Sequence, residues 1–201
     1  MIKLQGKLPR EVFVACSGGL DSMAVVDFLK NNHDVTVCYF DHGTKHSTEA
    51  GVFISNYCIE HNLPVMYGRI GDVDKPKEQS QEEYWRNERY KFFKTINADI
   101  ITAHHLDDCV ETWVWSSMHG EGKVIPYRNQ NVIRPLRGTR KRDFQLWVNL
   151  KNVPYVEDDS NADTCYTRNY IRHEMMPHVL RVNPGIHKTI LKKVTEDENW
   201  T

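Results

Sequence analysis

The residues best placed to do chemistry follow an apolar run: Ser17-Gly18-Gly19-Leu20-Asp21-Ser22, after Phe13-Val14-Ala15-Cys16. Two glycines let the backbone curl so that successive N–H groups converge on an anion. The helix expected to start there adds partial positive charge, and the Ser17 and Ser22 hydroxyls add donors. The chemistry this suits is the cradling of a phosphate. A plain turn capped by Ser17 is the bland alternative. It is not a Walker loop, because Gly-x-x-x-x-Gly-Lys-[Ser/Thr] occurs nowhere in the chain.

A second group is Thr102-Ala103-His104-His105-Leu106-Asp107-Asp108-Cys109-Val110-Glu111-Thr112. Asp108 and Glu111 are three apart and share a helical face. Carboxylates there could hold Mg²⁺ through oxygens or dock a lysine ammonium. Acids at a helix start also suit the helix dipole with no ligand at all. His104 and His105 with Asp108 lack a further ligand at zinc spacing, so polar roles are preferred. Arg86 and Arg89 likewise share one helical face, either solvated or turned inward to an anion. Arg134, Arg137, Arg140, Lys141 and Arg142 form a basic run without an acid, suited to a phosphate backbone or to a solvated surface. Arg168, Asn169 and Arg172 could do the same, or pair with Asp158 and Asp159.

These groups need elements to hold them. Short β-branched runs at 11–16, 34–40, 64–69 and 100–103 read as buried strands, and 131–136 as a last one. Helical patterns cover 21–31, 48–61, 80–95 and 106–118. Another covers 139–151 with Thr139 as its cap, and two more lie at 166–180 and 185–194. Pro177 is expected to kink or end the first of that pair. Repeated βα units imply a mainly parallel, doubly wound sheet with ligands at the carboxyl ends of its strands. The expected organisation is an α/β body at 1–135 and a small helical extension at 136–201, packed on it and facing RNA.

With 40% hydrophobic and 26% charged residues among 201, the composition is that of a soluble globular chain. No apolar run is long enough to span a bilayer, and the N-terminus lacks a signal-peptide pattern, so the expected location is cytoplasmic. Five dispersed cysteines without a Cys-x-x-Cys pair read as buried thiols rather than a disulfide framework. Net charge is −1, but unevenly spread: 12 Lys/Arg face 18 Asp/Glu over 1–122, and 14 face 6 over 123–193. An acidic catalytic half and a basic half able to meet phosphates would look like this.

The Ser-Gly-Gly-x-Asp-Ser signature resembles that of the PP-loop, or N-type, ATP pyrophosphatases. The resemblance implies cleavage of ATP between its α and β phosphates and activation of a substrate oxygen as its adenylate. Further residues are similar to the N-terminal catalytic domain of the tRNA(Ile)-lysidine synthetase family: Asp41-His42-Gly43, Glu83 to Tyr90, the His-Leu-Asp-Asp-x-x-Glu-Thr stretch, Arg134-Pro135-Leu136, and Asp-x-Ser-Asn followed by Arg168-Asn169-Tyr170-Ile171-Arg172. The likeness runs from about Val12 to Pro184 and implies a Rossmann-like, adenine nucleotide alpha hydrolase fold. Cys109 stands where that family commonly has Gln, and His119-Gly120-Glu121-Gly122 replaces a loop that usually begins Arg-Gly.

By resemblance, ATP is held by Ala15, Ser17, Gly18, Gly19, Leu20, Asp21, Ser22 and Arg89. Asp21, Arg86, Asp108 and Glu111 are catalytic, and Asp108, Glu111 and His105 bind free L-lysine. Asp21 and Asp107 take Mg²⁺. Arg134, Arg137, Arg140, Lys141, Arg142, Arg168 and Arg172 meet the anticodon loop of an isoleucine tRNA, with no separate C-terminal tRNA-binding domain. No membrane partner is expected, and the oligomeric state, a dimer included, is left open. A PP-loop tRNA thiolase and a non-catalytic adenine-nucleotide module remain as alternatives. The thiolase relatives generally use Cys-x-x-Cys pairs.

Overall fold

The computed structural model describes residues 1–71, 75–157 and 163–196. The expected Asp-x-Ser-Asn motif at 158–161, and any pairing of Arg168, Asn169 or Arg172 with Asp158 or Asp159, lie outside the described residues.

Four βα units come first: β1 (Glu11–Ala15), α1 (Leu20–Leu29), β2 (Asp34–Asp41), α2 (Lys45–Glu60), β3 (Val65–Arg69), α3 (Gln81–Thr95), β4 (Ile100–Ile101) and α4 (Leu106–Ser117). A short hairpin follows, β5 (Arg128–Asn129) and β6 (Val132–Ile133), then α5 (Lys141–Lys151), α6 (Thr167–Tyr170), α7 (Met176–Val182) and α8 (Ile186–Glu196). The sheet order is β3-β2-β1-β4-β6-β5, parallel except for the β5–β6 pair. From β1 the chain winds outward to β2 and β3, then crosses back to β4 on the other side. That reversal opens a crevice at the carboxyl ends of β1 and β4, where ligands of doubly wound sheets bind.

Both faces of the sheet are covered. Val12 and Val14 of β1 and Val35 and Val37 of β2 pack under α1, α2 and α5 in the largest core cluster, with Phe144 and Val148 of α5. On the other face Cys38, Ile100 and Val132 meet Phe93 and Ile96 at the end of α3. Gly68 lets the neighbouring Phe92 ring of α3 lie against β3: a Cβ there would stand 2.5 Å from it. A third cluster joins α4 to α7 and α8 through Val110, Val114, Met176, Ile186 and Ile190, with Ile171 just before α7.

Several boundaries differ from the sequence expectation, each for a local reason. Helix α2 starts three residues early because Thr44 and Ser47 form a reciprocal capping box. The expected strand at 131–136 is two residues long and is preceded by β5. Gln130, at φ 57°, takes the left-handed position of their turn. Thr139 does not cap α5. Its buried hydroxyl accepts from Lys3 N–H and donates to Lys3 O, and Arg140 takes the cap position without a side-chain bond. Pro177 neither ends nor simply kinks its helix. Ile171–Met175 between α6 and α7 is a π-helical turn in which Met176 N–H reaches back to Ile171 O, and Pro177, which has no N–H to give, lies in the first turn of α7. Cys165 is exposed, unlike the other four cysteines, which are buried.

Candidate functional site

Residues 17–22 bridge β1 and α1 at the crevice. Gly18 has φ +85°, a conformation L side chains rarely adopt, and this turns the loop back on itself. Ser22 Oγ donates to Gly19 O at 2.9 Å, accepts from Ser17 N–H at 3.2 Å, and lies 3.3 Å from Ser17 Oγ. The loop is therefore pre-shaped. Helix α1 begins without a side-chain cap, so its first N–H groups remain free to meet an anion. Val156 N–H bonds Gly18 O at 2.9 Å, tying the segment after α5 to the back of the loop. Nothing in the sequence signals that strap.

Asp21 lies in the first turn of α1. Its Oδ1 is buried and has no hydrogen-bond partner among the described residues. Its Oδ2 is 3.6 Å from His105 Nε2 and 3.9 Å from Lys141 Nζ. An unpaired buried carboxylate oxygen beside a phosphate cradle suits a hard cation carried in with a nucleotide.

His105 connects the loop to the acids. It caps α4, with Nδ1 accepting Asp108 N–H at 3.2 Å while Asp108 Oδ2 accepts His105 N–H at 2.9 Å. Burial opposes a charge on this ring, but Asp108, Asp21 and Asp107 outweigh it and raise its pKa. The neighbouring His104 moves the opposite way, to about 3, through burial and through Arg134 and Arg168, so it is neutral at physiological pH. His42, which the sequence reading left without a role, is similarly lowered to about 4 by burial and by Arg89. It lies edge-on to Phe40 and beside Trp85.

Asp108 and Glu111 are each about 5% exposed and are held by two arginines. Arg172 grips Glu111 through Nε at 2.8 Å and Nη2 at 3.0 Å, and Asp108 at 3.2 Å. Arg168 Nη2 reaches Asp108 at 2.8 Å. Burial alone would raise the Asp108 pKa, yet His105 and Arg168 bring it down to about 2. Asp108 is thus ionised and strongly bound, and Arg168 and Arg172 serve an intramolecular role here.

Asp107 corrects the metal expectation. Its Oδ1 takes Arg140 Nη2 and His187 Nε2 at 3.3 and 3.1 Å, and its Oδ2 takes Lys141 N–H and Arg140 Nε at 2.8 and 3.3 Å. Both oxygens are occupied, so Asp107 ties α5 and α8 to α4 and has no oxygen free for Mg²⁺. His187 is a site residue that sequence reasoning missed, since a lone histidine on an amphipathic helix gives no signal of its partner.

The basic run divides. Arg134 is 2% exposed and donates to Pro126 O and Tyr90 Oη. Arg137 is fully buried, with Gln5 Oε1, Ile125 O and Val194 O as acceptors and the Tyr127 ring below it. Neither guanidinium can meet a phosphate backbone, and the expectation of RNA contact fails for both. Arg140 is bound to Asp107 and Lys141 sits beside Asp21, leaving Arg142 as the exposed member of the run. Arg137 closes the last turn of α8 by bonding its carbonyl, the role cations fill at helix C-termini. Arg137→Ala should therefore lower stability by about 3 kcal/mol by stranding buried acceptors. Urea unfolding would read this, and a surface role would leave the midpoint unmoved. On α3, Arg86 is exposed and lies over the Tyr90 ring, while Arg89 turns inward beside Arg86 and Arg168, where desolvation lowers its pKa.

A parallel sheet with a glycine-rich anion cradle at its switch point, an aspartate with one buried oxygen unpartnered among the described residues and a flanking acid pair defines a nucleotide-binding α/β fold of the phosphate-loop kind. The PP-loop domain model matches residues 2–179, and the chain belongs to that ATP-using family. Similar curated proteins are tRNA(Ile)-lysidine synthases. The one from Thermosipho africanus is 34% identical over 91% of this chain and 47% of its own length. The one from Thermotoga sp. (strain RQ2) is 30% identical over 92% and 49%, and that from Vibrio vulnificus (strain YJ016) 29% over 97% and 48%. The chain spans about half the length of the curated relatives it matches. An NH3-dependent NAD synthetase from Campylobacter jejuni is similar at 12% identity and a TM-score of 0.47, over 95% of this chain and 86% of that one.

Proposed function

We propose that this chain carries the catalytic site of a tRNA(Ile)-lysidine synthetase. In that reaction ATP loses pyrophosphate as its AMP moiety is attached to the C2 oxygen of the wobble cytidine in a CAU anticodon. The ε-amine of free lysine then bonds to C2, and the C2–oxygen bond breaks to release AMP. The observation that supports this reading best is the bridge at His105. It sets the phosphate loop, through Asp21 at 3.6 Å, against a buried acid pair, through Asp108 at 3.3 Å. One half suits nucleotide phosphates and the other a cationic co-substrate. The names of the relatives point the same way.

In this reading the loop N–H groups and the Ser17 and Ser22 hydroxyls hold the ATP phosphates. Asp21 Oδ1 takes Mg²⁺, which supplies charge neutralisation to those phosphates when bound. Arg89, which turns inward, would meet the α-phosphate, while Arg86 lies exposed on the same helix. Asp108, kept ionised by His105 and Arg168, docks the lysine ammonium. Lysine must also compete with the arginines for the acids. Arg168, about half exposed, is the one able to yield. RNA contact falls to Arg142 and to the exposed surface of α6 and α7 within 136–201. No helix among the described residues is long and apolar enough to cross a membrane.

The test is transfer of labelled lysine into an isoleucine tRNA transcript with a CAU anticodon, with and without ATP, followed by nucleoside analysis. ATP-dependent lysidine is the expected result. A folded, ATP-binding protein that leaves the tRNA unlabelled sinks the reading for this chain.

A further inference from the structure

The phosphate loop, Ser17 to Ser22, carries no cation of its own and one acid, Asp21. A polyphosphate is held by opposite charge as well as by backbone dipoles, so that charge has to come from elsewhere in the fold. Among the described residues two basic side chains reach the loop, and both meet Asp21 at Oδ2: His105 Nε2 at 3.6 Å and Lys141 Nζ at 3.9 Å. His105 is fixed, being 1% exposed and locked with Asp108 in the cap of α4. Lys141 is fixed only at its backbone, whose N–H donates to Asp107 Oδ2 at 2.8 Å. Its side chain is 44% exposed, and the reach of Nζ to Asp21 is too long for a hydrogen bond. Its neighbours are committed differently, Arg140 to Asp107 and Arg142 to the outer surface. Helix α5 is held against α1 by Trp147, which lies edge-on to Phe28 and donates to Asp27 Oδ2 at 2.8 Å. Lys141 is thus a movable ammonium on a four-carbon stem, beside the first turn of α1, whose N–H groups lack a side-chain cap. A phosphate seated on those N–H groups lies within the sweep of Nζ.

We infer that Lys141 binds the pyrophosphate half of ATP, its ammonium swinging from Asp21 to the β- and γ-phosphate oxygens. This rests on the reading of the loop as an ATP site and adds to it the group that receives the leaving pyrophosphate. The bond between the α-phosphorus and the α–β bridging oxygen breaks with its electron pair left on that oxygen, while the C2 oxygen of the cytidine bonds to the α-phosphorus. The ammonium keeps its own proton and compensates the charge that gathers on the pyrophosphate. The same swing clears Asp21 Oδ2, beside the buried Oδ1 that has no partner among the described residues.

The experiment is calorimetric titration of the whole chain with magnesium pyrophosphate and, separately, with AMP, which lacks the β- and γ-phosphates. Lys141→Met should bind pyrophosphate about ten-fold more weakly and AMP as the parent does. Lys141→Arg should keep most of the pyrophosphate affinity, because it keeps the charge. Equal pyrophosphate affinity of the methionine and parent proteins overturns the assignment, as does an equal loss for AMP. An anticodon stem-loop RNA is titrated in the same way. A loss confined to the RNA places Lys141 on an RNA backbone and overturns the assignment too. An unchanged melting temperature shows that the variants fold. If the parent binds pyrophosphate through Lys141 but transfers no lysine to tRNA, the lysidine reading fails and the assignment stands. If the parent binds neither pyrophosphate nor AMP, the ATP reading of the loop falls and the assignment with it.

Discussion

Asp21→Asn should leave a folded protein whose ATP-dependent lysine transfer is lowered by about 100- to 1,000-fold. The size follows from what the carboxylate faces. Its Oδ1 is buried without a partner among the described residues, so substitution breaks no hydrogen bond at that oxygen. The contacts of Oδ2 with His105 and Lys141, at 3.6 and 3.9 Å, are too long to hold the fold together. Stability should change by no more than about 0.5 kcal/mol. Asparagine cannot bring a negative charge to a metal-bound triphosphate, and removal of one preorganised electrostatic partner costs catalysis on that scale. Formation of AMP in the presence of tRNA and lysine, measured beside a thermal melt, separates the two effects. A well-folded Asp21→Asn protein with ordinary turnover would falsify the assignment of the loop.

The second large effect is one of stability. Arg172→Met should cost about 3–5 kcal/mol, because it leaves the Glu111 carboxylate buried with only the longer contact to Arg168 at 3.7 Å. For a chain of this length that is a fall of about 10 °C in melting temperature. The double change Glu111→Gln with Arg172→Met should recover most of the loss, since the pair is then removed as a unit. If Arg172 instead served the surface as an RNA contact, the single variant would melt as the parent does, and only its salt-dependent RNA affinity would fall. Circular dichroism melts of the parent, the two single variants and the double variant decide between these outcomes.

Much of this site was legible in the chain before any coordinates. The glycine loop, the acids at the start of α4 and the alternation of strand and helix are local patterns, set by backbone sterics and by hydrophobic period. They place residues 17–22 and 105–111 at the carboxyl edge of one sheet with no further information. The strand at β4 was also readable, though pairing holds only Ile100 and Ile101 in the ladder. The hairpin partner β5 was not, because Arg128-Asn129 has neither β-branched residues nor alternation, and its pairing depends on the turn at Gln130.

Charge was where sequence reasoning misled. A run of five cations reads as a surface, yet Arg134 and Arg137 are interior, Arg140 is spent on Asp107, and Arg168 and Arg172 clamp the acid pair. A charged side chain can be buried only if distant parts of the chain bring acceptors to it, and those partners carry no mark in the sequence. Gln5, Ile125 and Val194 converge on Arg137 from three separate segments, and His187 meets Asp107 across 80 positions. The sequence by itself determined which chemistry the chain can attempt: a phosphate cradle, an aspartate and an acid pair on a parallel α/β scaffold. Only the tertiary structure decided which charges are free to do it, because pairing in a low-dielectric interior depends on distance in space rather than on position along the chain.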